Sequence, residues 1–379
     1  MRAEHGFAIS TREALGRELI AGVPGWLPVA ALVLFVAGVA LVLAVAGDTH
    51  GWDYVSYVNA AERFLAGEPI HDPTSDLTGG GQGIYLYPPA FAIVMVPFAL
   101  MPPEVALWAW TAVIVVAFLT GALLLPVRPW VRWAVILLGG LSWPLLYSIK
   151  LGQVETLLFL AAAVGWRWME RPPVLGLSIA AGAVIKLQPI ALLGWAMATR
   201  RWRAATIGVG ALALVALLTT LLAPGSWADF VETLRQVGTP VTRPHNFSPG
   251  AVSFRLGASE ELATAIQWIS VGAAGLVTIW SWFRLPPVPS YLITLLAVQI
   301  ASPLLRDHYV LLLLLPAAWL MDSGRWWGAL LALAYPLLAV TIIPAAAYPI
   351  GFWVGIVTLL YVGWKSGLGA AQSPAPHGG

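Results

Sequence analysis

The sequence contains no cysteine, and only 10% of its 379 residues are charged. The missing cysteine excludes disulfide bonds, thiol nucleophiles and thiolate metal sites. The charged fraction is far below the roughly 25% that is usual in a soluble globular protein. Such a chain cannot cover itself with a normal aqueous surface, which places it in a membrane. The formal net charge of +2 gives no indication of a nucleic-acid partner.

Long hydrophobic runs are what the sequence has in place of charge. They recur from Trp26 to Trp364 and leave no stretch long enough for a separate soluble domain. Each helical span requires about 20 apolar residues, so the sequence predicts an all-α, polytopic integral membrane protein with about 10 to 12 transmembrane helices. We expect residues 1–366 to form one transmembrane domain surrounded by membrane lipids. The Gly-, Ala- and Pro-rich residues 367–379 are expected to form a disordered tail.

The positions of the basic residues predict the orientation of the chain. Arg2, Arg12 and Arg17 precede the first hydrophobic run, and positive residues favour the cytoplasmic side of a membrane. Residues 47–87 would then form a first external loop, and residues 224–262 a second large one. This arrangement predicts a multi-pass protein of a bacterial-type cell membrane, with its active site on the extracytoplasmic side.

Two arrangements remain open between residues 88 and 200. A plain count of full spans conflicts with the positive-inside rule for the arginines of this region. Obeying that rule makes residues 89–101 re-entrant and places Gly152 and Gln153 outside. Further along, the polar segment 186–189 interrupts an apolar run and predicts a broken helix, which is tolerated at membrane depth only inside protein or beside a cavity.

The first external loop is the longest stretch that lipid cannot hold, because its polar groups would find no water there. From Trp52 to Leu65 its apolar residues recur with helical spacing. This pattern predicts an amphipathic helix that lies on the membrane surface and ends at Gly67. The predicted apolar face comprises Tyr54, Val58, Ala61 and Leu65.

Asp53 falls in the first turn of this predicted helix. A carboxylate is stabilised there by the helix dipole alone, so a structural role is as plausible as a chemical one. Asp48 lies five residues earlier and is the one other acid close enough to share a chemical role. No Asp-x-Asp motif surrounds them, so the sequence does not require a divalent metal or any other cofactor.

Six short motifs follow one another along the chain. They are Gly51-Trp-Asp-Tyr-Val-Ser-Tyr57, Tyr87-Pro-Pro-Ala-Phe-Ala92, Leu151-Gly-Gln-Val-Glu155, Lys186-Leu-Gln-Pro189, His245-Asn-Phe-Ser248 followed by Arg255, and Ser302-Pro-Leu-Leu-Arg-Asp-His308. In this order they resemble motifs of glycosyltransferase family 87, over about residues 45–320. The chain departs from the family pattern at Glu155, where Asn is usual, at Phe247, where Gln is usual, and in keeping one His of a pair.

The resemblance implies a GT-C membrane fold and a glycosyltransferase. It implies that a hexose, most often mannose, passes from a polyprenyl-phosphate donor to a hydroxyl of a glycolipid or glycan acceptor on the outer face of the membrane. One carboxylate suffices as general base for a single inverting displacement, because phosphate leaves without strong protonation. Asp53 is the candidate for this base.

The leaving phosphate needs cations or oriented donors. Lys186 is the sharpest candidate, since a charge within an apolar run is costly unless it is paired or faces a cavity. His308, Arg255 and Arg306 are further candidates, although each of them is also compatible with an ordinary position at a span end or in a loop. The remaining candidates for substrate binding are Tyr57, Gln153 and Asn246, and the two amides are equally suited to capping.

Three other functions compete with this interpretation. A secondary transporter usually places acids near the bilayer midplane in repeated halves, and the sequence shows neither a clear mid-span acid nor a convincing repeat. A non-catalytic membrane subunit does not account for a loop rich in acids and aromatic residues. A GT-C enzyme that uses another lipid-linked sugar, such as arabinose, is not distinguished from a mannosyltransferase by the sequence.

Overall fold

The computed structural model describes residues 21–71, 84–238, 241–327 and 347–372, with side chains as far as Lys365 in the last range. These residues form sixteen α-helices and three short 3-10 helices, and no strand occurs among them. The first eight helices are α1 Trp26–Ala44, α2 Tyr54–Ala66, α3 Pro89–Ala99, α4 Pro103–Leu124, α5 Pro129–Gly140, α6 Trp143–Leu151, α7 Glu155–Arg167 and α8 Pro172–Ile185. The others are α9 Ala191–Ala198, α10 Trp202–Leu222, α11 Ser226–Val237, α12 Pro249–Arg255, α13 Glu260–Arg284, α14 Pro287–Ile300, α15 Leu314–Asp322 and α16 Ala347–Gln372.

The protein is an all-α, polytopic membrane protein, as the sequence predicts. Five described helices are long and apolar enough to cross a bilayer, namely α1, α4, α10, α13 and α16. The pair α5–α6, bent by 64°, makes a sixth candidate. The predicted number of about 10 to 12 spans is larger, because proline and polar residues divide several apolar runs into helices of 10–17 residues, such as α3, α8 and α14.

Close helix contacts form the core around α4. Phe118 of α4 stacks on Phe35 of α1 with 5.6 Å between ring centroids, and packs against Phe159 of α7 at 5.4 Å. Where α1 meets α5, a Cβ added at Gly140 would lie 2.4 Å from the Cα atom of Phe35. Small residues at such contacts let helix backbones approach within the membrane, where no hydrophobic effect drives helices together.

The amphipathic helix predicted in the first loop is present as α2. It ends at Gly67, whose φ of 73° is the left-handed conformation that terminates helices. The buried face consists of Tyr54, Ser56, Tyr57, Ala60 and Ala61, whereas Leu65 is exposed. The predicted apolar face is therefore wrong at Leu65, because α2 packs against protein, chiefly α3, and buries the small and aromatic side that fits there.

Several predictions concern residues outside the described ranges. Arg2, Arg12 and Arg17 precede them, and residues 72–83 of the first external loop fall between two of them. In the predicted tail, α16 extends as far as Gln372, and residues 373–379 lie beyond the described part of the chain.

Candidate active site

A cavity of about 470 Å³ opens at one end of the helix bundle. Its lining comes from the first loop and α2, from the segment before α3, from the α6–α7 junction, from the break after α8, from residues 243–245 and from residues 304–309. The segments predicted to lie outside thus share one cavity and lie on the same side of the protein. Gly152 and Gln153 belong to this side, which agrees with the arrangement that follows the positive-inside rule.

Helix length supports the same assignment at the other end of α7. This helix begins at Glu155, beside the cavity, and runs to Arg167, which places the two residues about 18 Å apart along its axis. Arg171 lies in the connection before α8, and α8 then returns to Lys186 at the cavity. Arg167 and Arg171 therefore lie at the ends of α7 and α8 that are away from the cavity.

The cavity has two walls that differ in exposure. We call the buried lining residues the inner wall and the half-buried or exposed ones that carry charge or an aromatic ring the outer wall. The inner wall comprises Ser56, Tyr87, Leu151, Gln153, Lys186, Leu304, Asp307, His308 and Tyr309. The outer wall comprises Trp52, Asp53, Tyr147, Lys150, Arg243, His245 and Arg306.

Backbone contacts fix the start of α2 against the end of α6. The N–H of Gly51 donates to Lys150 O at 2.8 Å, and the N–H of Asp53 donates to Leu151 O at 3.0 Å. Gly152 ends α6 with a φ of 74°, and a Cβ at this position would meet the Tyr54 Cβ at 2.7 Å. Only glycine satisfies both demands without strain, which is how this turn brings residue 153 beside residue 53.

Asp53 is the N-cap residue of α2, yet its side chain makes no capping hydrogen bond. Instead its Oδ2 accepts a hydrogen bond from Gln153 Nε2 at 2.5 Å. Gln153 Oε1 lies 3.1 Å from the Tyr57 hydroxyl and 3.0 Å from the Tyr87 hydroxyl. Since the phenols occupy the amide oxygen, the Gln153 NH₂ group is directed to Asp53. The helix dipole still favours a negative charge at this position, but the hydrogen bond of Asp53 is made to Gln153 and not to the backbone of α2.

Burial raises the pKa of the Asp53 carboxyl group above its ordinary value. The hydrogen bond from Gln153 acts in the opposite direction and offsets part of this increase. The positive charges of Arg306 and Lys186 also favour the carboxylate, with smaller effect. A raised pKa brings a carboxylate closer to the range in which it is an effective proton acceptor.

Lys186 lies in the break between α8 and α9, with extended backbone (φ −140°, ψ 135°). The broken helix that the sequence predicts is thus confirmed. Its ammonium group is hydrogen-bonded to the Glu155 carboxylate and lies 3.7 Å from the centroid of the Tyr309 ring. His308 Nε2 is 3.7 Å from the same Glu155 oxygen. The charge of Lys186 is therefore balanced inside the protein.

The structure does not bring Asn246 and Arg255 into the lining of the cavity. Asn246 Oδ1 accepts hydrogen bonds from the N–H groups of Ser248 at 3.0 Å and Leu305 at 3.1 Å, and its Nδ2 donates to Pro303 O at 3.0 Å. Arg255 donates to Asn246 O at 2.6 Å. These contacts tie the 243–248 segment to the 303–305 segment and so position both beside the cavity.

Sequence reasoning did not select several polar residues of the cavity. Lys150, Arg243, His245 and Tyr147 line it, as does Asp307, whose Oδ2 accepts a hydrogen bond from Trp143 Nε1 at 3.1 Å. The motifs at 245–248 and 302–308 contain or adjoin most of these side chains, so the motif positions were the available signal. Among the described residues no group of three or more His, Asp or Glu is arranged to hold a metal ion, and metal independence stays a prediction.

The model of glycosyltransferase family 87 matches residues 85–305, which is more than half of the chain. The chain belongs to glycosyltransferase family 87. The predicted family is thereby confirmed, and this membrane glycosyltransferase has Tyr87, Gln153 and Lys186 within the matched region. Asp53 and His308 lie outside it, one on each side. No curated protein sequence matches the chain.

Family membership decides against the transporter. Glu155 is the first residue of α7 and is only 1% exposed, so the protein buries an acid at a helix end. Spacing along the sequence does not reveal this, because the partner that makes its burial tolerable, Lys186, is 31 residues away.

Proposed function

We propose that this glycosyltransferase transfers a hexose, which we identify as mannose, from a polyprenyl-phosphate donor to a hydroxyl of a lipid- or glycan-linked acceptor. Transfer takes place on the extracytoplasmic face. The lipid tail of the donor enters the cavity laterally from the outer leaflet, and the acceptor enters from water. The reaction needs no metal ion or other cofactor.

The observation that carries the proposal is the environment of Asp53. Its carboxylate lines the cavity, takes no part in capping α2, and is oriented by the amide of Gln153. Tyr57 and Tyr87 fix that amide in turn. A carboxylate that is held by neighbouring groups but open to a cavity is what a general base requires, because geometry must precede proton transfer.

The chemistry is a single displacement at the anomeric carbon. The acceptor hydroxyl gives its proton to Asp53 while its oxygen forms a bond to the anomeric carbon, and the bond from that carbon to the phosphate oxygen breaks. The phosphate leaves with the electron pair, and the configuration at the anomeric carbon inverts. Positive charge beside the departing oxygen stabilises the transition state.

The cations of the cavity provide that charge. Lys150, Arg243 and Arg306 of the outer wall carry it, and Lys186 and His308 complete the donor site at the inner wall. Asn246 and Arg255, which were predicted to bind substrate, act by positioning the segments that carry His245 and Arg306.

A transfer assay tests this function directly. The purified full-length protein in lipid nanodiscs is incubated with radiolabelled polyprenyl-phosphate-mannose or polyprenyl-phosphate-arabinose and a panel of glycolipid, glycan and peptide acceptors. We expect label to pass from the mannose donor to a glycolipid or glycan, with inverted configuration in the product. Transfer from the arabinose donor alone would show that the donor sugar is arabinose and not mannose. Absence of both transfer and donor binding would overturn the proposed function.

A further inference from the structure

The two walls of the cavity differ in net charge as well as in exposure. Three basic side chains, Lys150, Arg243 and Arg306, lie on the half-buried outer wall together with one acid, Asp53. The inner wall has one ammonium group, that of Lys186, which is hydrogen-bonded to the buried carboxylate of Glu155, and one acid of its own, Asp307. The surplus of positive charge therefore lies on the outer wall.

Glu155 is not itself part of the cavity lining. It is the first residue of α7, where the helix dipole favours a carboxylate, and it is 1% exposed. From this position it contacts Lys186, and its Oε1 is 3.7 Å from His308 Nε2. A phosphate that bound Lys186 would have to compete with this carboxylate in a buried environment, where leaving either charge unpaired is costly.

The inner wall instead offers what a neutral sugar requires. Tyr87 and Tyr309 contribute aromatic rings, and Gln153 and His308 contribute polar groups, all from buried positions. The Lys186 ammonium is 3.7 Å from the centre of the Tyr309 ring, a cation–π contact that stabilises its charge further. A hexose has hydroxyl groups for such donors and apolar faces for such rings, whereas burying a phosphate here would cost its hydration without supplying net positive charge.

We infer that Glu155 is a positioning residue that neutralises Lys186, so that the donor sugar lies against the inner wall and the donor phosphate against the outer wall. This rests on the proposed function, since it assigns an orientation to the same donor. Asp53, which is half-buried, then lies beside the anomeric carbon, where sugar and phosphate meet. Lys186 donates hydrogen bonds to sugar hydroxyls and does not contact the phosphate.

Two probes that differ only in the sugar test the orientation. Binding of decaprenyl phosphate and of decaprenyl-phosphate-mannose to the full-length protein is measured for the wild type, for the double variant Glu155→Gln/Lys186→Met, and for Arg306→Ala. The double variant removes both charges of the pair together, so the net charge around the inner wall does not change. Thermal unfolding in the detergent used for the binding measurements shows which variants are folded.

We expect the double variant to bind decaprenyl phosphate within about twofold of the wild type and the mannosyl donor at least about fivefold more weakly, since hydrogen bonds to the sugar alone are lost. Arg306→Ala should weaken both probes by the same factor, about tenfold, because it removes charge from the phosphate site. Equal losses for both probes in the double variant would overturn the inference. Unchanged decaprenyl phosphate binding in Arg306→Ala would overturn it as well.

The single variant Glu155→Gln gives a readout that a purely structural role would not produce. It leaves the Lys186 charge unbalanced, so we expect decaprenyl phosphate to bind severalfold more tightly, and Glu155→Asp to restore the wild-type value. Weaker or unchanged phosphate binding in a folded Glu155→Gln protein contradicts the assignment. If the double variant does not fold, decaprenyl phosphate binding by Arg306→Ala and Glu155→Gln still tests the orientation of the donor. A wild type that binds neither probe refutes the proposed function itself.

Discussion

The start of α2 and the segment 246–255 were predicted alike as sources of site residues, and the structure treats them differently. At α2, Asp53, for which the helix dipole alone was a sufficient explanation, makes no capping hydrogen bond and lines the cavity. In the segment 246–255, residues that looked like ligands, Asn246 and Arg255, direct their hydrogen bonds to the protein backbone.

The two regions differ in how many hydrogen bonds their polar side chains already make to the protein. Asn246 has used its amide oxygen for two backbone N–H groups and its NH₂ group for a carbonyl, so little remains for a substrate. Asp53 has one oxygen held by a side-chain amide and remains on the cavity wall. A residue that binds substrate is recognised by hydrogen-bonding groups that face a cavity and are not already used by the protein. Four predictions follow from this contrast, and they are given from the largest expected effect to the smallest.

The substitution Asp53→Asn tests the catalytic role that the comparison gives to the start of α2. An amide cannot accept the proton, so we expect transfer to fall by about 10²–10⁴-fold, while the protein remains folded and inserted because Asn keeps an oxygen for the Gln153 hydrogen bond. The measurement is the initial rate of sugar transfer together with thermal unfolding. Asp48→Asn is the matched control, since Asp48 is exposed and does not line the cavity. A rate close to wild type in Asp53→Asn would remove Asp53 from the mechanism, and a large loss in Asp48→Asn would show that the two acids share it.

The substitution Asn246→Ala tests the structural role that the comparison gives to the segment 246–255. It leaves the buried N–H groups of Ser248 and Leu305 without their acceptor, which we expect to lower the free energy of unfolding by about 2 kcal/mol. The Kd of the folded fraction for decaprenyl phosphate should rise only slightly, because Asn246 positions the segment that carries Arg306 but does not itself line the cavity. Denaturant unfolding in detergent and donor binding at low temperature measure the two quantities. An unchanged stability with a large increase in Kd would return Asn246 to the substrate site.

The sequence predicts much of this contrast, and there is a physical reason why it does not predict the rest. Helical spacing gave α2 and its end at Gly67, and the motif order brought Asp53, Gln153, Lys186 and His308 into one site. The sequence could not show that Asn246 and Arg255 lie outside the cavity lining, because a polar residue in a loop carries no sign of whether its partner is substrate or backbone. That choice depends on which segment lies opposite, here residues 303–305.

The pairing of Glu155 with Lys186 was inaccessible for a related reason. Glu155 begins α7 and Lys186 lies in the break after α8, so the pair forms only when this break meets the start of α7. From spacing alone, Lys150 was a more natural partner for Glu155. Gly152 separates those two in space by ending α6 in a left-handed turn, so that Lys150 faces the Tyr147 ring instead, 5.9 Å from its centroid.

The pH dependence of transfer sharpens the assignment of Asp53. Its pKa is raised by burial, so the carboxylate is lost by protonation at a higher pH than for an ordinary aspartate. Activity should therefore be full above the raised pKa and should fall as pH decreases through it, by tenfold, or about 1.4 kcal/mol, per pH unit below it. The profile of kcat/KM against pH measures this acid limb. In the residual activity of Asp53→Asn the limb should be absent, and its persistence there would assign it to another group.

His245→Gly offers the smallest and most selective change, because His245 belongs to the loop yet lines the cavity. Its φ of 53° is left-handed, a conformation that costs a residue with a Cβ about 1 kcal/mol and that glycine adopts freely. Arg200 is the matched control, being exposed, outside the cavity lining and equally left-handed at 61°. We expect neither His245→Gly nor Arg200→Gly to lower the free energy of unfolding by more than about 1 kcal/mol, since relief of the backbone offsets the greater entropy of the unfolded chain. Only His245→Gly should reduce transfer, by about tenfold, because an imidazole held in a costly conformation beside the cavity is expected to contact substrate. If both variants retain full activity, the left-handed turn at His245 serves the backbone alone, and the loop belongs wholly to the structural half of the comparison.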